Sequence, residues 1–217
     1  MPLTIHGLAQ STCTQRVLTT LKELNVSDYK LRIVDWGAAE HKSPAFLKMQ
    51  PFGKIPVLED SDLPGVYIFE SRAIIRYIVR KYSPTSSLLG STPAAQALVE
   101  TWISVESANF NPSAEGLAVQ LVFGKFRGVE PDQAAVENHL KQLGATLDVY
   151  DKHLADKKFL VGEDFTLADI VHYPYLNLAV TSCGHPEVVN DRPNVKAWWE
   201  RMSSRPAWKQ VLAEGSF

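Results

Sequence analysis

Residues 51–82 read PFGKIPVLEDSDLPGVYIFESRAIIRYIVRKY. Two short runs rich in β-branched and aromatic residues, 56–59 and 66–69, predict strands. Between them Asp62, Pro64 and Gly65 supply turn chemistry. Residues 71–82 then carry a dense helical pattern that ends before Pro84. Upstream, residues 3–6 alternate as a strand does. Ser11-Thr12 precedes a helical stripe of Val17, Leu18, Leu21 and Leu24, residues 29–34 read as a second strand, and 43–49 as a short helix. The order β-α-β-α-β-β-α predicts a small mixed sheet flanked by helices over residues 1–83.

Downstream the texture changes. Residues 84–92 are rich in Ser, Pro, Thr and Gly and predict a linker. Beyond them strand signals largely vanish. Helical patterns run over 94–110 and on to about 126, then over 131–154, 167–181, 195–203 and 207–213. Thr166 and Asp169 are spaced as a capping box, with Phe165 and Ile170 placed as its hydrophobic staple. The fold expected is an α/β domain at 1–83 followed by an all-helical domain at 93–217.

Composition narrows the function classes. The 217 residues are 45% hydrophobic and 21% charged, near globular averages. No apolar run approaches the ~18 residues a membrane span needs. The N-terminus, MPLTIHGLAQS, lacks the basic region and long apolar stretch of a signal peptide. Two cysteines, Cys13 and Cys183, fit a reducing compartment. A soluble, cytoplasmic protein is therefore expected, with no membrane partner. The net charge of −2 argues against nucleic acid as a partner. Residues 1–83 hold 11 Lys/Arg against 8 Asp/Glu, and the rest 11 against 16, so the first segment is the more basic. That suits a small anionic ligand, or simply reflects two solvated faces of opposite sign.

No phosphate-binding loop, GxGxxG, HExxH, CxxC or GxSxG is present. The six histidines show no metal-ligand pairing, so no metal site is expected. What remains is positional. Ser11-Thr12 opens the first helix, with Thr12 and Gln15 spaced as a capping box. The first turn of a helix offers unpaired N–H groups and a positive dipole end, which favour an anion. A hydroxyl there caps the helix, or it hydrogen-bonds a ligand thiolate. Lowering a thiol pKa from ~8.5 by about 2 units requires ~2.7 kcal/mol of preferential stabilisation of S⁻. One charge-assisted hydrogen bond of ~1.5–3 kcal/mol with a dipole contribution of ~0.3–1 kcal/mol suffices. A second helix start follows the fourth strand, with Ser71 as the expected cap and Glu70 available for an ammonium group. Two such helix starts suit a peptide bearing a carboxylate, an amine and a thiol.

STCTQRVL, EHKSPAFLKMQPFGKIPVLED and FESRAIIRYI together resemble a cytosolic glutathione transferase, most closely the serine-type phi class of plants and fungi. FTLADI and RPNVKAWWERMSSRPAWKQV resemble the family's C-terminal helices. The likeness spans essentially the whole chain. It implies a thioredoxin-like N-terminal domain, an all-α C-terminal domain and a homodimer, with reduced glutathione as co-substrate and no cofactor. Carried over by position, Ser11 meets the glutathione sulfur and His41 and Lys42 the glycyl carboxylate. Ile55 pairs through its backbone with the cysteinyl unit, ahead of Pro56, which the family holds cis. Glu70 and Ser71 take the γ-glutamyl group. Lys54 stands where the family often has Gln and can still reach a carboxylate. Arg16 matches a structural arginine. Cys13 has no counterpart and is expected to be a buried helical side chain.

Leu8, Ala9, Trp36, Phe110 and Phe123 are the candidates for a hydrophobic cleft that receives the electrophile; each is also readable as core. Phe52 is a candidate for insertion into a partner subunit, or a buried turn aromatic. The reaction the resemblance implies is addition of the thiolate to hydrophobic electrophiles. Its alternatives are reduction of organic hydroperoxides by the same thiolate, and a non-enzymatic carrier or interaction module.

Overall fold

The computed structural model describes residues 3–215; Met1, Pro2, Ser216 and Phe217 lie outside them. Two compact units emerge. One runs to Thr85 and takes back the stretch from Pro206; the other is Ser86–Arg205.

The first unit is built on a four-stranded sheet, β1 (Leu3–Gly7), β2 (Tyr29–Ile33), β3 (Val57–Asp60) and β4 (Tyr67–Phe69), in the order β2-β1-β3-β4. β1 and β2 are parallel, joined through helix α1 (Thr12–Glu23). β3 is antiparallel to β1 and β4 antiparallel to β3. α2 (Pro44–Met49) precedes β3, and α3 (Ser71–Tyr82) follows β4. Leu3 and Ile5 of β1, Val17, Leu18 and Leu21 of α1, Val57 and Leu58 of β3, and Ile74, Ile75 and Ile78 of α3 are all buried. The stripes read from the sequence are the faces that meet here.

The second unit is helical: α4 (Pro93–Val105), α5 (Asn111–Ala118), α6 (Gln133–His153), α7 (Leu167–Ile170), α8 (Tyr173–Val180), α9 (Glu187–Asn190) and α10 (Pro193–Ser203). Its core centres on Tyr150, Tyr173 and Trp198. The architecture is the expected one, thioredoxin-like followed by all-α. Three details differ. The pattern over 94–126 is interrupted by π-turns at Glu106–Phe110 and Val119–Phe123. Pro112 has no N–H to give the carbonyl four residues back, so the ladder slips to five, with Asn111 N–H on the Glu106 carbonyl. The pattern over 167–181 breaks into α7 and α8 ahead of Pro174, for the same reason. The last helix, α11 (Pro206–Glu214), belongs to the sheet unit and not to a helical domain reaching 217. It buries Trp208 and Val211, and Lys22 of α1 pairs with its Glu214 at 2.7 Å.

Candidate active site

The sheet register gathers the predicted residues of the first unit. Gly7 at the end of β1 pairs with Ile33 at the end of β2, His6 with Val57 at the start of β3, and Val57 with Phe69 at the end of β4. The segments leaving or entering the sheet there carry Leu8, Ala9 and Ser11; Trp36, His41 and Lys42; Lys54, Ile55 and Pro56; and Glu70 with Ser71. All lie at one end of the sheet.

Ser11, and not Thr12, is the N-cap of α1. Its backbone is extended (φ −68°, ψ 125°), and its half-buried Oγ accepts from Thr14 N–H at 3.5 Å. The carbonyl of Leu8 receives Ser11 N–H at 3.0 Å, which closes the turn holding half-buried Leu8 and Ala9. A hydroxyl oxygen that accepts at the cap still has its hydrogen to donate. Capping and ligand binding are therefore compatible at this residue.

α3 starts differently from the expectation. Ser71 is its first residue, and the N-cap is Glu70, at φ 67° and ψ 109° with no side-chain cap bond. A positive φ is costly for a residue with a Cβ and marks strain held by its surroundings. Ser71 is buried, and its Oγ accepts from Nη1 of the fully buried Arg16 at 3.4 Å. Ser71 N–H has no hydrogen-bond partner among the described residues. The same Arg16 Nη1 lies 3.4 Å from Cys13 Sγ, and Cys13 is half-buried, not buried as expected. Helix spacing turns the thiol toward the arginine and leaves one side open.

The Ile55–Pro56 bond is cis. Pro56 is buried and Ile55 half-buried, and neither backbone polar group of Ile55 is hydrogen-bonded among the described residues. Lys54 is exposed, with its N–H on Gln50 Oε1 at 3.2 Å. Lys42 Nζ donates to the carbonyls of Phe52 and Gly53, both at 3.1 Å. Gly53 sits at φ +60°, where a Cβ would lie 2.6 Å from the His41 carbonyl and 2.8 Å from Lys42 Nζ, so only glycine closes this turn. His41 is buried, and that desolvation, with Lys42 beside it, holds its pKa below the usual histidine range.

Of the apolar candidates, Phe123 is half-buried on the second π-turn. Phe110 has no exposed surface; its ring packs on His172 (4.8 Å) and Tyr150 (6.4 Å) in the helical core. It is a core residue, because the π-turn carries it inward. Phe52 is exposed, edge-on to Phe69 at 6.5 Å, rather than buried in its turn. Trp36 stacks on His41. Nothing in the sequence signals that stack; the turn around it is legible only as Asp35 and Gly37. Among the described residues no group of three His, Cys, Asp or Glu side chains could hold a metal, and no helix is long and apolar enough to cross a membrane.

The glutathione S-transferase N-terminal domain family matches residues 1–80, and the glutathione S-transferase C-terminal domain family residues 110–206. The chain belongs to the glutathione S-transferase family. It is 42% identical over 213 residues to glutathione S-transferase F13 of Arabidopsis thaliana, covering 97% of this chain and 95% of that one. To glutathione S-transferase 3 of Zea mays it is 42% identical over 212 residues, covering 98% and 94%. The crystal structure of glutathione transferase F7 from Populus trichocarpa superposes with a TM-score of 0.91 at 43% identity, covering 99% of this chain and all of that one. This transferase is thus related to plant F-type enzymes, and it uses glutathione as co-substrate.

Proposed function

We propose that Ser11 donates its hydroxyl hydrogen to the sulfur of bound glutathione and holds it as the thiolate, which then adds to an apolar electrophile. The observation that carries this is the state of the Ser11 hydroxyl: half-buried at the start of α1, and among the described residues accepting only the long cap bond from Thr14, with its hydrogen unspent. The helix dipole adds to the same effect. The other ends of the tripeptide follow the sheet end. The unpaired backbone of Ile55 fits the cysteinyl amide. Ser71, whose oxygen accepts from Arg16, has its own hydrogen and its N–H for the γ-glutamyl carboxylate, and exposed Glu70, with no ion pair among the described residues, can take the ammonium group. His41, Lys42 and Lys54 supply positive or neutral donors for the glycyl carboxylate. Leu8, Ala9 and Phe123 remain the candidates for the electrophile.

Support from relatives is chemical. A glutathione S-transferase I from Mais, solved in complex with an atrazine glutathione conjugate, shares 34% identity and a TM-score of 0.89 over 99% of this chain and 98% of its own. The reading includes a homodimeric, cytoplasmic enzyme, as the family resemblance implies; Phe52, 64% exposed, is the ring offered to a second copy.

Ser11→Ala tests the mechanism. Loss of one hydrogen bond to a charged group, ~2 kcal/mol, lowers kcat about 30-fold and raises the bound thiol's pKa by about 1.5 units. The pH–rate profile with a chloro-dinitrobenzene acceptor moves to higher pH accordingly, while calorimetry gives a nearly unchanged Kd for glutathione. Full activity with an unshifted profile would remove Ser11 from the mechanism.

A further inference from the structure

His41 is only 8% exposed, yet no hydrogen bond reaches its imidazole among the described residues, and Nδ1 is buried without a partner. Something other than hydrogen bonding fixes the ring. That something is Trp36, whose indole lies parallel to the imidazole, 1° off, with centroids 3.7 Å apart. Trp36 leaves 52% of its own surface in water, so its position is not the result of burial. Its loop holds it there. Glu40 accepts from Asp35 N–H (2.8 Å) and Arg32 Nη2 (2.5 Å), Asp35 Oδ1 from Ala38 N–H (2.8 Å), and the Trp36 carbonyl from Ala39 N–H (3.1 Å). Ala39 turns the chain back at φ 53°. Bonds at Asp35, Trp36, Ala38, Ala39 and Glu40 clamp the loop so that one aromatic face meets one imidazole.

We propose that Trp36 is a positioning residue for glutathione: its indole fixes the His41 ring so that the imidazole edge is set for the glycyl carboxylate before the ligand arrives. Stacking uses the π face and leaves the ring edge for a polar partner; with Nδ1 buried, Nε2 is the nitrogen left for it. A side chain ordered in advance loses less freedom on binding. Trp36 thereby acts at the carboxylate end of the co-substrate and not as a wall of the electrophile pocket. The inference rests on His41 being a contact to that carboxylate.

The test measures Kd by calorimetry for glutathione and for its glycyl ethyl ester, which lacks the carboxylate, on the full chain and on Trp36→Ala, Trp36→Phe, Trp36→Leu and His41→Ala. Trp36→Ala is expected to weaken glutathione about fivefold while moving the ester less than about twofold, so the preference for the free acid shrinks. The kinetic loss falls on KM for glutathione rather than on kcat. Trp36→Phe, which keeps an aromatic face, restores most of the affinity, and Trp36→Leu, which keeps bulk alone, does not. That last pair carries the test if Trp36→Ala fails to fold. Combining Trp36→Ala with His41→Ala adds no further loss. If His41→Ala weakens glutathione and Trp36→Ala does not, or weakens acid and ester alike, the positioning role is wrong and the His41 reading stands. If His41→Ala leaves the acid–ester preference intact, both fall. A rise in KM for the electrophile alone would return Trp36 to the apolar pocket.

Discussion

Three helix starts in this enzyme use the same chemistry to opposite ends. At α7 the cap is saturated. Asp169 Oδ2 takes Thr166 N–H (2.8 Å) and Thr166 Oγ1–H (3.1 Å), and Oδ1 takes Leu160 N–H (3.0 Å) and Trp198 Nε1–H (2.9 Å). Ala168 N–H meets Thr166 Oγ1 at 3.2 Å, and the whole arrangement is buried. Nothing is left over for a ligand. At α1 the cap bond is long and the hydroxyl hydrogen unspent. At α3 there is no side-chain cap at all, the N-cap backbone is strained, and Ser71 N–H is unpaired among the described residues. The saturated start holds the fold, and the open starts of α1 and α3 are the two to which the proposed function gives a ligand.

The largest effect should come from breaking the saturated start. Asp169→Ala strands three buried N–H donors and a hydroxyl, each worth ~1–3 kcal/mol, so a loss of about 5 kcal/mol in denaturant unfolding is expected. A loss under about 1 kcal/mol would mean that water or a rearranged chain replaces the carboxylate, and the contrast with α3 would weaken.

The second break lies within α3 itself, which is open at one end and pinned at the other. Buried Asp60 of β3 accepts from Tyr77 and Lys81 of α3, and Lys81 also reaches Asp62 at 2.7 Å. Burial alone would raise the Asp60 pKa, but these donors and Asp62 N–H hold it below the usual carboxylate range; burial and Asp60 push Tyr77 up to about 12. Asp60→Ala should cost about 3 kcal/mol at neutral pH, less than a lone buried charge would, because Lys81 keeps Asp62. With the folded pKa depressed, Asp60's contribution is complete above the unfolded value of ~3.9 and is lost as pH falls through the folded one. The wild-type and variant stabilities should therefore converge in acid; a gap that persists there would exclude the ionised carboxylate as its source.

Much of this was legible in the chain. Strands and helices in a fixed order, the turn at Asp62–Gly65 and the Thr166–Asp169 box all follow from local rules that tertiary packing did not override. Ser11, Glu70 and Ser71 could be placed because helix starts are local. What could not be read depends on contacts far apart in sequence or on backbone angles without a side-chain signal. The return of α11 to the sheet unit is set by packing on α1, nearly 200 residues away. Glu70 at φ 67° is invisible because the rule for positive φ points to Gly or Asn, and a strained Glu breaks it. Trp36 on His41 needs the Arg32–Glu40–Asp35 clamp, and the stripe rule says nothing about loops. The first π-turn had a signal in Pro112, but a proline more often ends a helix than shifts its ladder.

The smallest effect separates strain from charge at α3. Holding Glu70 at positive φ costs ~1–3 kcal/mol, and a glycine there loses ~0.4–1 kcal/mol through the freer unfolded chain. Glu70→Gly should then be more stable than the wild type by about 1 kcal/mol, a rise in Tm of roughly 2–4 °C for a chain of this size. Its Kd for glutathione should worsen about tenfold, as one charge-assisted hydrogen bond is lost. Glu70→Gln keeps the strain and removes the charge, so it should match that loss in affinity with no gain in Tm. At Asp169 no substitution can trade in this way, because there the carboxylate serves the fold and nothing else. A Glu70→Gly enzyme that is more stable and binds glutathione undiminished would leave the strain at this helix start without a purpose, and an unpaired cap would no longer distinguish a binding end from a structural one.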